Sequence, residues 1–306
     1  MEAACNEPLM VTVQCLAYNQ EAFIRQCLDG FVMQRTNFRF EAVVHDDAST
    51  DGTPAIIREY AARYPDIIKP ILETENQYSK HDGSLRRAIY AHTHGKYVAL
   101  CEGDDYWTDP LKLQKQVDLM EAHPDCMLTY HACKNVFEGE GLTGAPYGED
   151  VKESYTAAEL LDYPFQTATV MFRREVTVGN GLYDRATAVG CSSGDEILYL
   201  TAGCLGTVCG INERMSVYRR HASGVSQQMH GKDRMWKNFN DWLQLADVFG
   251  GEVGRRIRHD RLGEFLYYSL RWGRFGMFWK MLRTCVRRSP SSIAGAATFR
   301  FRCMFR

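Results

Sequence analysis

FEAVVHDDASTDGTPAIIREYAARYPDIIKPIL, residues 40–72, reads as strand, helix and strand in direct succession. The short apolar run through Val43 and Val44 suits a buried strand. Thr53 then stands as a helix cap with Pro54 at the first helical position, opening a helix over 53–64. Residues 66–72 form a weaker strand, which Pro70 demotes to a sheet edge. Two strands joined through a helix of this length run parallel.

The pattern repeats on both sides. LMVTVQCLA (9–17) is a short β-branched strand, and EAFIRQCLDGFVMQ (21–34) sets Phe23, Ile24, Cys27, Leu28 and Phe31 at helical spacing. SLRRAIYAHTHG (84–95) is a helix closed by Gly95, KYVALC (96–101) a strand, and PLKLQKQVDLMEAH (110–123) a helix with Pro at its start. The fold class is therefore α/β, a Rossmann-like, mostly parallel sheet with helices on both faces. Ligands of such sheets lie beyond the carboxyl ends of the strands. Three of those ends carry AYN (17–19), HDD (45–47) and CEGDD (101–105), which are expected to open on one crevice.

Beyond about residue 135 the pattern weakens. Residues 138–150 form a Gly-rich loop, 167–176 a strand, 194–203 a short helix with Asp195 near its start, and 214–226 a strand running into a loop. From Met229 onward Trp, Phe and Leu recur at helical spacing, giving two to four amphipathic helices. The expected division is a ligand-binding domain over 1–225 and a C-terminal helical extension over 226–306.

The chain has 306 residues, 45% hydrophobic and 24% charged, an ordinary globular composition. Eleven scattered cysteines without a CxxC match no zinc spacing and read as reduced thiols. The start, MEAACNEP, lacks the basic segment of a signal peptide, and no apolar run reaches the roughly 18 residues of a membrane span. The expected location is the cytoplasm, with peripheral attachment to the cytoplasmic face of the inner membrane. The net charge of −2 conceals a split: residues 255–306 carry thirteen Lys and Arg against Asp260 and Glu264. That Arg-rich stretch, with Phe265, Trp272, Phe275, Phe278 and Trp279 in it, reads as an amphipathic surface for anionic lipid. Nucleic acid is excluded as a partner, because the remainder of the chain is acidic.

Two motifs carry chemistry. HDDASTDGT (45–53) ends like the Asp-x-Asp-Gly-Thr of an aspartyl-phosphate phosphatase, but Ser49 holds the nucleophile position and cannot form that intermediate. The plainer reading is a strand–turn–helix connection rich in turn formers. Asp46 and Asp47 at a strand end are also suited to accept hydrogen bonds from a nucleobase. In CEGDDYW (101–107), Glu102, Asp104 and Asp105 crowd three acids into four positions. A cation or water must relieve their repulsion: the plainer reading is a solvated acidic turn before the Pro110 helix, and the functional one is a divalent cation, since oxygen-rich sites with few protein ligands suit Mg2+ or Mn2+ completed by substrate phosphates.

These pieces, in this order, resemble the family-2 glycosyltransferases of the GT-A nucleotide-sugar fold, in the subgroup that builds bacterial surface polysaccharides. The resemblance spans roughly residues 9–225 and rests on LAYNQEAFIRQCLDG, VVHDDASTDGT, HTHGKYVALCEGDDYWTDPLKLQKQVDLME, and GDEIL followed by YRRHASGVS. It implies that Ala17, Tyr18 and Asn19 form the first nucleotide loop, that one of Asp46 and Asp47 contacts uracil, and that Arg86 lies near the nucleotide. Glu102 and Asp104 occupy the ends of the family's Asp-x-Asp motif, with Glu102 departing from the usual Asp. Asp104 and His221 are the implied metal contacts and Asp195 the implied catalytic base, favoured over Glu196, which a helix would turn about 100° away. Asp105 is a candidate for the sugar or acceptor, and Trp107, just past the metal motif, reads either as a ring that stacks on the sugar or acceptor or as a core aromatic beneath the turn.

The expected activity is metal-dependent, inverting transfer of a sugar from a nucleoside diphosphate, a UDP-sugar, to a hydroxyl of a glycan or lipid-linked acceptor. A nucleotidyltransferase would open with a Gly-rich basic phosphate loop where this chain has AYNQEAF. A non-catalytic nucleotide-sugar binder would keep the strand-end acids and need no base.

Overall fold

In the computed structural model, Val11, Val13, Cys15 and Ala17 of strand β1 (Leu9–Ala17) are buried, and Thr12 and Gln14 on its other face are buried too. A strand covered on both sides belongs in the middle of a sheet. The buried polar face is satisfied: Gln14 donates to Thr93 Oγ1 at 2.8 Å, and the Gly95 N–H donates to Thr12 Oγ1 at 2.9 Å. The structure describes residues 8–80, 82–138, 148–162, 164–191, 194–221 and 234–304.

The chain divides into two compact units. The first comprises Met1–Tyr155, Tyr163–Glu175 and Gly206–Ala222, and the second Thr156–Asp162, Val176–Leu205 and Ser223–Arg306. The helical unit thus takes in segments from within the 1–225 stretch.

Unit 1 is built on a sheet of order β3-β2-β1-β4-β7-β6-β8-β5. Here β2 is Arg39–Asp46, β3 Ile68–Leu72, β4 Tyr97–Leu100, β5 Tyr106–Trp107, β6 Cys126–Glu138, β7 Met171–Arg173 and β8 Thr207–His221. The first four neighbours run parallel, with β3 at the edge where Pro70 is tolerated. The other half is mixed: β7 is antiparallel to β4 and β6, β5 antiparallel to β8, and β6 parallel to β8.

The unit's helices are α1 (Ile24–Val32), α2 (Thr53–Arg63), α3 (Ser84–Ala91) and α4 (Lys112–Ala122). Helix α1 sinks Ile24, Cys27, Leu28 and Phe31 into the same core as the apolar face of β1.

Three local expectations are corrected. Thr53 is the first residue of α2 rather than its cap, and its Oγ1 instead accepts from the Gln20 N–H at 2.8 Å. Gly95 lies past the end of α3; a Cβ there would sit 2.4 Å from the Thr12 backbone nitrogen, so close approach to β1 requires the glycine. Of the expected strand 167–176 only Met171–Arg173 is strand, between single 3-10 turns at Thr167–Thr169 and Arg174–Val176. Residues 222–226 of the last expected strand and loop fall outside the described residues, as do 139–147 of the Gly-rich loop.

Unit 2 is helical: α5 (Gly181–Ala188), α6 (Gly194–Leu205), α7 (Met235–Phe249), α8 (Gly251–Arg256), a π turn at Ile257–Arg261, α9 (Leu262–Arg271), α10 (Phe275–Arg288) and α11 (Ser291–Met304). Asn180 caps α5, its side chain accepting from the Leu182 and Tyr183 amides. Several tail arginines are occupied inside this unit. Arg256 bonds Ala158 O at 2.7 Å, Asp162 at 2.8 Å and Asp260 at 3.0 Å, and Arg288 pairs with Asp247 at 2.9 Å. Part of the basic excess is therefore structural.

Candidate active site

The register brings three strand ends of unit 1 side by side. Ala17 is paired with Asp46, and the Asp47 N–H donates to Ala17 O at 2.9 Å. Past the end of β4 the Cys101 N–H donates to Gln14 O at 3.1 Å and the Gly103 N–H to Leu16 O at 2.9 Å, so the acidic turn continues along β1. A Cβ at Gly103 would stand 2.3 Å from Gln20 Oε1 and 2.8 Å from Ile24 Cδ1, so both side-chain ends pack closely over the turn between Glu102 and Asp104.

The HDDASTDGT segment ties the first two loops together. Asn19 adopts a left-handed φ of 51°; its N–H donates to Ser49 Oγ and its Oδ1 accepts from the Thr50 N–H, both at 2.8 Å. The Glu21 N–H donates to Asp51 Oδ2 at 3.0 Å, and the Gly52 N–H donates back to Glu21 Oε2 at 2.9 Å. Partial burial works against the Asp51 anion, yet hydrogen bonds from Thr53 and the Glu21 amide hold its pKa below the usual value. Tyr18, 50% exposed, stands free of the core beside this brace.

The two adjacent aspartates differ. Asp47 accepts from the Gln77 N–H at 2.6 Å and the Tyr78 N–H at 3.0 Å, so both its oxygens brace the following loop. Asp46 uses Oδ2 to accept from the Ser49 N–H at 3.1 Å. Its Oδ1 is buried and has no partner among the described residues. A buried acceptor without a donor is costly, and a ligand N–H would satisfy it.

In the acidic turn, His221 Nε2 lies 3.0 Å from Asp104 Oδ2, and the Asp104 side chain remains 21% exposed. Asp105 is buried and accepts the Arg219 N–H at 2.8 Å. Burial pushes its carboxyl well above the usual range; Asp104 and Glu102 push the same way and Arg219 opposes. Glu102, half-buried, receives the Asp105 N–H on its backbone carbonyl at 3.0 Å.

Arg219 organises this turn. Its guanidinium donates to Asp104 O at 2.9 Å, Glu138 Oε1 at 3.0 Å and Gln26 Oε1, and sits 4.5 Å over the Tyr106 ring. It was not among the candidate residues. The available signal is its place two residues before His221, which puts both on one face of β8.

Trp107 lies in the core. It is 2% exposed, its Nε1 donates to Ala168 O at 2.9 Å, its ring meets Phe31 at 4.9 Å, and the fully buried Lys112 Nζ lies 3.9 Å over it. No ring face is left for a sugar, which corrects the expectation of a stacking role. Asp105 is likewise enclosed by its own structure. Arg86 lies on the exposed side of α3.

Asp195 belongs to unit 2, in the first turn of α6, with its Oδ1 accepting the Glu196 N–H at 3.0 Å. Glu196 is bound instead to Arg261 at 2.5 Å and is buried. Of the two acids, Glu196 is thus committed to an internal ion pair.

Among the described residues no group of three or more His, Cys, Asp and Glu side chains is arranged to hold a metal. The Asp104 carboxylate and His221 imidazole supply one oxygen and one nitrogen donor already converged. Such a pair fits a Mn2+ or Mg2+ ion that takes its remaining ligands from water and substrate phosphate.

The profile of glycosyl transferase family 2 matches residues 13–176. An uncharacterized protein of Mycobacterium tuberculosis is 39% identical over 266 residues, which cover 85% of this chain and 74% of that protein. EpsE of Bacillus subtilis, named as a glycosyltransferase, is 33% identical over 156 residues, 51% of this chain and 53% of EpsE. Among solved structures, residues 1–349 of Staphylococcus aureus TarS in complex with UDP-GlcNAc superpose with a TM-score of 0.64 at 19% identity, over 85% of this chain and 72% of that one. The mannosyltransferase PcManGT of Pyrobaculum calidifontis, in complex with GDP-Man and Mn2+, gives 0.52 at 19% identity, over 96% and 87%.

Proposed function

The chain belongs to glycosyl transferase family 2, and from that premise we propose that it transfers a sugar, with inversion, from a UDP-sugar to a hydroxyl of a glycan or lipid-linked acceptor in the synthesis of a bacterial surface polysaccharide. It is a glycosyltransferase with a GT-A-like α/β fold. The observation that carries the donor reading is the placement of Asp46, with its unpartnered buried Oδ1, at the end of β2 and of the Asp104–His221 pair past the end of β4, the two strands that flank β1.

In this reading Asp46 Oδ1 accepts the imide N–H of uracil, and the exposed Tyr18 ring packs on the base. Ala17 and Asn19 shape the loop that receives it, Asp47 holds the loop beyond, and Arg86 reaches toward the diphosphate. Asp104 and His221 would hold a divalent cation, which when bound neutralises charge on the departing diphosphate. Arg219 keeps the backbone of the acidic turn in place for that purpose. Asp195 would take the proton of the acceptor hydroxyl, since Glu196 is occupied by Arg261. One base and a single displacement give inversion at the anomeric carbon.

The names of relatives support a polysaccharide product. TuaG of Bacillus subtilis, 29% identical over 175 residues (55% of this chain and 64% of TuaG), is named for teichuronic acid biosynthesis. An acceptor on a lipid carrier would place the protein peripherally at the cytoplasmic face of the membrane, reached through residues 255–306. No described helix is long and apolar enough to cross a membrane.

The test is a thermal-shift panel of UDP, GDP, CMP and TDP sugars, each with and without Mn2+, alongside turnover by Asp195→Asn. Stabilisation confined to uridine compounds with metal, and loss of turnover in the variant with nucleotide affinity kept, is expected. Indifference to every nucleotide sugar would overturn the reading.

A further inference from the structure

Helix α10 turns an apolar stripe outward. Phe275, Trp279, Leu282 and Val286 follow one another at intervals of four, three and four residues, so they share one face. Phe275 is 61%, Trp279 56% and Val286 59% exposed. Met281 and Cys285, on another face, are fully buried and anchor the helix within unit 2. A helix that already buries one apolar face ordinarily shows water a polar one. Three large apolar side chains aligned in solvent mark a contact surface.

The charge beside the stripe identifies its occupant. From Arg271 to Arg288 the chain has Arg271, Arg274, Lys280, Arg283, Arg287 and Arg288, and no acid. Arg288 is engaged by Asp247, and Lys280 lies 3.9 Å over the Trp236 ring. Arg283 and Arg287 are exposed, flank the stripe on one side and have no ion-pair partner among the described residues. An apolar strip with aromatic residues and free cations at its margin matches the boundary between headgroups and acyl chains of an anionic bilayer.

We propose that α10 lies flat on an anionic membrane, with Phe275, Trp279 and Val286 in the interface and Arg283 and Arg287 among the phosphates. Fourteen residues span about 21 Å, enough to lie along the surface and too little to cross it. A second copy of this chain is the poorer occupant, because a twofold contact would bring the two basic margins together with no acid along 271–288 to answer them. The proposal deepens the functional reading by naming the element that meets the membrane, and it rests on that reading only for the use made of the contact.

The experiment is flotation of the full chain with vesicles of phosphatidylcholine alone or with added phosphatidylglycerol. Binding to the anionic vesicles at least about tenfold tighter than to the neutral ones is expected. Arg283→Glu with Arg287→Glu should abolish that preference, and Phe275→Ser with Trp279→Ser should weaken binding several-fold and reduce tryptophan quenching by brominated lipid. Melting temperature and nucleotide-sugar shifts, measured on the same variants, should match the parent and so exclude misfolding. Equal binding to both vesicles, or wild-type binding by both double variants, would overturn the proposal. So would a fall in solution mass in the Phe275/Trp279 variant with vesicle binding unchanged, which would give the face to a second copy. A chain that floats yet binds no nucleotide sugar would leave α10 in place and sink the functional reading; the opposite result would do the reverse.

Discussion

His221 and Asp104 are separated by 117 positions in the chain, yet His221 Nε2 stands 3.0 Å from Asp104 Oδ2. The contact exists because β8 ends at His221, on the strand that pairs with β5 just beyond the acidic turn. If the two residues share a cation, His221→Ala should raise the half-activating Mn2+ concentration at least about tenfold, in line with the loss of one ligand. Part of the rate should return at saturating metal. Asp104→Asn should lose turnover at all metal concentrations. Steady-state rates across a Mn2+ series check both.

Arg219 gives a prediction of a different kind, because it acts on the turn through backbone and neighbouring side chains. Its fork reaches Asp104 O, Glu138 and Gln26 at once. Lysine keeps the charge and loses that geometry. Arg219→Lys should lower metal-activated kcat/KM by about tenfold, roughly the worth of one charge-assisted hydrogen bond. Uridine affinity measured without metal should stay within about twofold, well below the change one such bond makes.

Asp46 and Asp47 should separate binding from stability. Asp46→Asn keeps an oxygen for the Ser49 amide but offers an NH2 group where Oδ1 stood. A uridine nucleotide should bind about tenfold or more weakly, the scale of a hydrogen bond to a charged group, with little change in melting temperature. Asp47→Ala removes the shared acceptor of the Gln77 and Tyr78 amides, at a cost of about 1 kcal/mol for each hydrogen bond given up to water. Its melting temperature should fall. Calorimetric titration and thermal unfolding of the two variants distinguish the roles.

Much of this site is legible in the sequence because the parallel half of the sheet is built from local repeats. Strands β1, β2 and β4 announce themselves through β-branched apolar runs, and their order fixes which loops are neighbours. The mixed half was harder to read. Strand β6 buries Thr129 and His131 among its apolar residues, so its sequence, CMLTYHACKNVFE, lacks the clean alternation of a half-buried strand. Thr129 is accommodated by a hydrogen bond from Gln116 at 3.1 Å, a tertiary partner invisible to periodicity. Of the two readings of Trp107 the structure has the core one. Adjacency to a metal motif suggested a ligand, whereas alternation along β5 turns Trp107 inward.

The corrected position of Trp107 has a measurable consequence. Trp107→Phe removes the Nε1 hydrogen bond to Ala168 O and weakens the ring that faces Lys112. A loss of about 1–3 kcal/mol in stability is expected from those two terms. KM for donor and acceptor should stay within about twofold, because no part of the ring reaches the crevice; a sugar-stacking residue would lose far more. Denaturant unfolding and initial rates on one preparation decide between them.

Lys112 lies beneath Trp107 and makes its own pH-dependent contribution to stability. Its Nζ is buried without a hydrogen-bond partner, and burial pushes its pKa down to about 7, with Cys101 opposing weakly. In the unfolded chain the same amine titrates near 10.4. Between these values the unfolded state binds the extra proton, so Lys112 makes stability rise with pH from about 7 toward 10. Below about 7 both states carry the charge, and its burial cost is felt in full, relieved in part by the face of Trp107. Lys112→Met fills similar space without the charge. It should raise stability by about 1–3 kcal/mol at pH 6, after allowance for the lost cation–π contact, and by much less at pH 9.5. Urea midpoints of parent and variant across that range provide the check. A variant that is no more stable at pH 6 than at pH 9.5, relative to the parent, would show that the amine is not held in a dry site.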